Sequence, residues 1–119
     1  MSNPITIYGI PNCDTCRKAR QWLAGAGVEH TFVDVRREPP TSERLAAWRS
    51  ALGDTVLINK RSKTWRDFDD TTKRATEADP LPVLAEHPTL IKRPILETPT
   101  ATLAGFSAAR YEAVIAGAD

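Results

Sequence analysis

Cysteine is scarce in this chain: two occur among 119 residues, Cys13 and Cys16, three positions apart. A secreted scaffold held by disulfides uses more cysteines at longer spacings, so a reducing, cytoplasmic setting is expected. Charge of one sign is also missing. Lys and Arg total 16 against 15 Asp and Glu, a net of +1, which gives no support to a broad nucleic-acid-binding face. No stretch nears the ~18 consecutive apolar residues of a membrane span. The opening Met1-Ser2-Asn3-Pro4 has neither a basic stretch nor an apolar core, so no signal peptide is expected. Internal repeats, low-complexity tracts and linkers are lacking as well.

What is present fits one globular domain over residues 1–119. Hydrophobic residues make up 41% and charged residues 26%, and a chain of this length can bury a core. The β-branched and aromatic run Ile5-Thr6-Ile7-Tyr8 reads as a strand that Gly9 and Pro11 end. From Asp14 the spacing of Cys16, Ala19, Trp22, Leu23 and Ala26 predicts a helix, closed by Gly25 and Gly27. Residues 29–35 read as a second strand, and the short crossover favours a parallel βαβ unit. An all-helical insert is expected at approximately 40–88. Within it Thr41 caps one helix, with Leu45, Trp48 and Leu52 on a common face. Short helices follow over 54–79, and another opens at Asp79-Pro80. Pro94–Glu97 and Ala101–Leu103 then form an antiparallel hairpin, and Ser107 caps a final helix that buries Tyr111, Val114 and Ile115. The order is βαβ, helical insert, ββα. The fold class is therefore α/β, with a mixed four-stranded sheet.

The cysteines carry the chemistry. At a helix start, residues three apart fall within the ~4.4–6.8 Å Cα separation of a disulfide. Cys13 would lie at the helix N-terminus, where free N–H groups and the positive end of the dipole favour a thiolate, with Arg17 one turn on. It is the candidate nucleophile, and Cys16 is the candidate resolving thiol that attacks the mixed disulfide. Three alternatives stand beside this reading: half of a zinc site completed by His30 and His87, a reactive Cys13 with Cys16 as core, or two inert cysteines. A proline loop opposite the cysteines falls at Lys92-Arg93-Pro94, where Arg93 offers a planar fork to a carboxylate or oxyanion. Lys60-Arg61-Ser62-Lys63 is a second basic cluster, in a segment (60–74) with six basic and three acidic residues. Trp22, Trp48 and Trp65 read as packing residues.

The segment Tyr8-Gly9-Ile10-Pro11-Asn12-Cys13-Asp14-Thr15-Cys16-Arg17-Lys18-Ala19 resembles the active-site segment of the arsenate reductase-like (ArsC) family. Three further segments are similar to it in collinear order: Leu57–Arg66, Glu86–Ile95 and Leu103-Ala104-Gly105-Phe106. The resemblance implies a thioredoxin-like fold with a helical insert. It also implies Cys13 as nucleophile, with Arg93, Arg61, Lys92, Asn12, Arg17 and Pro94 around a substrate pocket. No metal or tightly bound cofactor is implied.

Three branches of the family are relevant. Arsenate reductases work with glutathione and glutaredoxin and hold the oxyanion with three arginines. Arg93 matches one of these, whereas Asn59 stands at another, with Arg61 two positions later, and the third is replaced near Gly105. The YffB-like branch, thought to be glutathione-dependent thiol reductases, shares Tyr-Gly-Ile, Asn-Cys-Asp-Thr, Thr-Trp-Arg and Leu-x-Gly-Phe. The wider fit favours this branch, although its members often carry one cysteine. Spx-type regulators share the C-x-x-C, Arg61-Ser62-Lys63 and Glu86-His87-Pro88, and bind the RNA polymerase α subunit. The expected partner is glutathione or another small thiol or disulfide. Glutaredoxin belongs to the arsenate alternative and RNA polymerase to the regulator alternative; neither membrane nor direct nucleic-acid binding is expected.

Overall fold

The computed structural model describes residues 5–117. The chain divides into two compact units: residues up to Asp34 together with those from Arg93 onward, and Val35–Lys92 between them.

The first unit is built on a four-stranded sheet, from β1 (Thr6–Gly9), β2 (Thr31–Asp34), β3 (Ile95–Glu97) and β4 (Thr102–Ala104), in the order β2-β1-β3-β4. β1 pairs parallel with β2 and antiparallel with β3, and β3 pairs antiparallel with β4. Helix α1 (Asp14–Gly25) is the β1–β2 crossover and α7 (Ala108–Gly117) follows β4. This is the thioredoxin-like α/β arrangement expected from the sequence. Helix α1 turns one face inward: Cys16, Ala19 and Leu23, at three- and four-residue spacing, are fully buried. Ala19 and Leu23 join Ile5, Ile7, Leu96 and Tyr111 in one apolar cluster. Gly27, with φ 72°, lets the chain reverse after the helix. The Arg20 guanidinium lies 4.0 Å from the centre of the Phe32 ring, tying the solvent side of α1 to β2. Each hairpin strand begins one residue later than the sequence pattern indicates, and β2 is shorter than residues 29–35.

The second unit contains α2 (Ser42–Leu52), α3 (Asp54–Leu57), α4 (Lys63–Asp67), α5 (Asp70–Ala78), α6 (Pro80–Glu86) and a 3-10 turn at Pro88–Leu90. Its starts follow local chemistry. Thr41 accepts the Arg44 N–H, Ser62 the Trp65 N–H and Asp69 the Thr72 N–H. Pro80 occupies the first turn of α6, as Asp79-Pro80 indicates. Gly53, at φ 83°, lets α2 turn into α3, and Arg49 grips Asp54 across that corner with bonds of 2.7 and 3.2 Å. Leu45, Trp48, Leu57, Leu84, Leu90 and Ile91 are its large buried side chains. The segments 57–59 and 90–92 form a short antiparallel pair: the Asn59 N–H donates to Leu90 O, the Lys92 N–H to Leu57 O, and Ile58 bridges Ile91.

One glycine is demanded by packing. A Cβ on Gly9 would stand 2.5 Å from the Cys16 sulfur, which is buried in the first turn of a helix and has nowhere to retreat. Gly9→Ala is expected to destabilise the chain by about 1–3 kcal/mol, as overpacking of a filled core does. Urea unfolding checks this, and an unchanged midpoint would show that the helix is not seated on Gly9.

Candidate active site

Strand β1 ends at Gly9 and the chain turns through Pro11 and Asn12, both exposed, before Cys13 enters α1 as its N-cap residue. The Cys13 backbone is extended (φ −109°, ψ 123°) and its carbonyl accepts the Arg17 N–H at 2.9 Å. Its sulfur makes no capping bond of normal geometry, yet it lies close enough to the N–H groups of Thr15 and Cys16 for those dipoles to act on it. This is the unpaired-donor end of a helix with a half-buried thiol beside it.

Opposing effects decide the charge on Cys13. Burial is the strongest single influence and opposes ionisation. Four favourable ones outweigh it together: the Cys16 N–H, the Cys16 thiol as donor, the positive charge of Arg93 and the Thr15 N–H. The net result holds Cys13 below the ordinary thiol range. Cys16 moves the other way. Burial is again the leading cause, proximity to Cys13 adds to it, and the thiol is pushed up to about 12 despite the Ile10 N–H and Arg93. The two sulfurs are therefore in hydrogen-bonding contact but chemically unequal. One favours the thiolate; the other stays protonated and can donate to it.

Arg93 comes from the loop before β3, half-buried, with its Nε atom inside the protein. Pro94 is buried, and the Arg93–Pro94 peptide is cis. The reason these residues reach Cys13 is topological: β3 runs antiparallel to β1 and Ile95 pairs with Tyr8, so the residues just before Ile95 lie at the end of the sheet from which α1 departs. Arg17 is exposed and pairs with Asp14 across one helical turn.

Arg61 and Lys92 belong to the second unit. There they line a cavity of about 400 Å³ with Asn59, Lys60 and Ile58. Asn59 shapes its floor by accepting the Arg61 N–H with its side-chain oxygen at 3.1 Å. Lys60 pairs with Glu77 at 3.1 Å and lies 5.3 Å from the Trp65 ring. The structure thus gathers Cys13, Cys16, Arg93 and Pro94 in one unit, and Arg61 and Lys92 in a basic pocket of the other. His30 donates from Nδ1 to Val28 O at 2.9 Å, and His87 packs against Phe68. Among the described residues no three His, Cys, Asp or Glu side chains gather to hold a metal ion.

Two contributors escaped the sequence reading. Gly9 is the seat of the Cys16 sulfur, and a glycine closing a strand four residues before Cys13 is the available signal. The spacing of Tyr111 indicates only a core position. The polar end of a buried Tyr must find a partner, and here it donates to Gly105 O at 2.9 Å.

Comparison with known proteins places this geometry. The sequence profile of the ArsC family matches residues 8–114. The chain is 32% identical over 98 residues to the regulatory protein MgsR of Bacillus subtilis, covering 81% of this chain and 78% of that one. It is 32% identical over 104 residues to the arsenate reductase of Escherichia coli K12, covering 86% and 73% respectively. The solved structure of the YFFB (PA3664) protein superposes with a TM-score of 0.86 at 34% identity, covering 92% of this chain and 96% of that one. With the profile spanning both cysteines, Arg93 and most of the last helix, the chain belongs to the ArsC family and is arsenate reductase-like.

Proposed function

We propose that this protein is a cytoplasmic thiol–disulfide oxidoreductase that uses Cys13 as nucleophile and glutathione as reducing co-substrate. The observation that carries the proposal is the paired state of the cysteines: a half-buried Cys13 held below the ordinary thiol range beside Arg93, and a buried Cys16 kept protonated next to it. Family membership agrees with thiol chemistry but leaves the substrate open.

In the proposed cycle the Cys13 thiolate attacks one sulfur of a substrate disulfide. A Cys13–substrate disulfide forms and the other substrate sulfur leaves as a thiolate, which takes up a proton. Cys16 then loses its proton and attacks the Cys13 sulfur, forming the Cys13–Cys16 disulfide and expelling the second substrate thiolate. Two glutathione thiols reduce that disulfide, returning both cysteines and yielding one glutathione disulfide. Arg93 stabilises the attacking thiolate and meets an anionic group of the substrate. Pro94 shapes the loop beside it. Asn12 and Arg17 are exposed beside Cys13 and are the candidates to meet the substrate there, while Arg61 and Lys92 line a basic cavity of the second unit that suits an anionic group.

A regulator is the second reading. The likeness to MgsR favours it, because a cysteine pair that switches between dithiol and disulfide can gate binding as readily as turnover. Under this reading the chain binds the RNA polymerase α subunit with an affinity that changes on oxidation. Lack of capture in both redox states would remove it. Arsenate reduction is the third reading, favoured by the likeness to the Escherichia coli enzyme and tested by turnover with glutathione and glutaredoxin.

Cys13→Ser is expected to reduce turnover of a glutathione mixed disulfide to background in a glutathione-coupled assay, since a hydroxyl cannot replace a thiolate at neutral pH. Retained turnover would overturn the proposal. The pH dependence has a defined sign. The thiolate is the reactive form and the protein favours it, so alkylation of Cys13 should rise with pH and reach its midpoint at a lower pH than an ordinary free thiol does. Arg93→Gln removes a charge that favours the thiolate, so its profile should move to higher pH and alkylation at pH 7 should slow several-fold.

A further inference from the structure

Tyr111 is completely buried in α7. Its ring is held edge-on by Trp22, at 6.0 Å and 86°, and by Phe106, at 5.0 Å and 90°. A phenylalanine would satisfy that packing, so the hydroxyl calls for a separate reason. A buried hydroxyl is costly unless it is bonded, and this one donates to Gly105 O at 2.9 Å. Gly105 has φ 78°, a conformation that favours glycine, and its own N–H donates to Pro94 O at 2.8 Å. That bond adds one rung to the β3–β4 ladder beyond the Ile95–Ala104 pair. One residue before Tyr111, Arg110 donates to Ala104 O at 3.3 Å. The first turn of α7 therefore closes two successive carbonyls at the end of β4, and the second of these belongs to the residue that holds Pro94.

Following the bonds gives a continuous path from Tyr111 Oη to Gly105, to Pro94, and by covalent bond to Arg93, whose charge acts on Cys13. The same phenol lies within electrostatic reach of Cys16. We infer that Tyr111 is a positioning residue, whose hydroxyl, through Gly105 and the Pro94 carbonyl, holds the Arg93 loop at the distance from Cys13 that the thiolate requires. It touches neither the reacting sulfur nor the substrate; it acts through Arg93. The inference rests on Cys13 as the reacting thiol.

Tyr111→Phe removes one oxygen and keeps the ring. Three results are expected. Amide exchange at Gly105 should quicken, because the turn that carries its bond to Pro94 is released. The pH profile of Cys13 alkylation should move upward, with alkylation at pH 7 slowed several-fold. In an Arg93→Gln background the same substitution should produce no further slowing, since the effect travels through Arg93.

A purely structural role would lower the melting temperature without moving the Cys13 profile, and that result would overturn the inference. A shift of equal size in the Arg93→Gln background would overturn it too, by showing that Arg93 is not the intermediary. If the parent chain already alkylates as an ordinary thiol, the proposed function fails first and the positioning role fails with it. If Tyr111→Phe weakens the fold, Gly105 exchange relative to that of the β4 amides still reads the latch. Uniform quickening of all of them would count against it.

Discussion

The site depends on a negative charge kept at one sulfur in a place that does not favour charge. Burial opposes the Cys13 thiolate more strongly than any single group assists it. Cys13 is held below the ordinary thiol range only because several contributions act at once: two N–H dipoles of a helix start, one thiol donor and one guanidinium. None outweighs burial alone, and they come from three different requirements of the fold. The dipoles exist because α1 starts there. The thiol donor exists because the inward face of α1 carries Cys16 three residues on. The guanidinium is there because β3 runs back alongside β1.

That last condition explains how distant segments of sequence form one site. Cys13 and Arg93 are separated by the whole helical unit, yet both flank the same end of the central strand. β1 exits there into α1, and antiparallel β3 enters there from the Arg93 loop. The parallel β1–β2 pair leads the chain away from this edge, while the β3–β4 hairpin and α7 lock the returning segment. Gly9 belongs to the same arrangement. Its missing side chain lets the Cys16 sulfur approach the backbone, which brings the first turn of α1 down onto the end of the strand and presents Cys13 at its rim.

The local features of this arrangement were readable from the sequence. A β-branched run, a Gly-x-Pro break and C-x-x-C at a helical period define strand, loop and helix within about twenty residues, and each signal is short-range. Thr41 and Ser107 mark helix starts for the same reason, since a cap acts on an N–H three residues away, and Pro80 marks one because its fixed φ suits a first turn. The non-local features were hidden. The pairing of 57–59 with 90–92 joins segments more than thirty residues apart, and neither has strand periodicity. The Gly105 to Pro94 bond depends on a hairpin register that no turn residue specifies. That Arg61 and Lys92 line a common cavity is equally non-local, because it follows from the pairing of 57–59 with 90–92 and not from any local pattern.

The inequality of the two cysteines also sets an order of events in the proposed chemistry. While Cys13 is a thiolate, its charge is one of the influences that keep Cys16 protonated, and the Cys16 thiol in turn donates to Cys13. Each sulfur thus reinforces the state of the other. Formation of a mixed disulfide at Cys13 removes the negative charge, and with it both the like-charge penalty on Cys16 and the acceptor for its proton. The desolvation penalty remains, whereas the Ile10 N–H and Arg93 continue to favour a Cys16 thiolate. Cys16 is therefore hardest to ionise before a substrate has bound covalently and easier to ionise afterwards. A resolving thiol that were ionised from the start would compete for Arg93 and repel the Cys13 thiolate, so burial of Cys16 beneath Gly9 is what allows the pair to act in sequence.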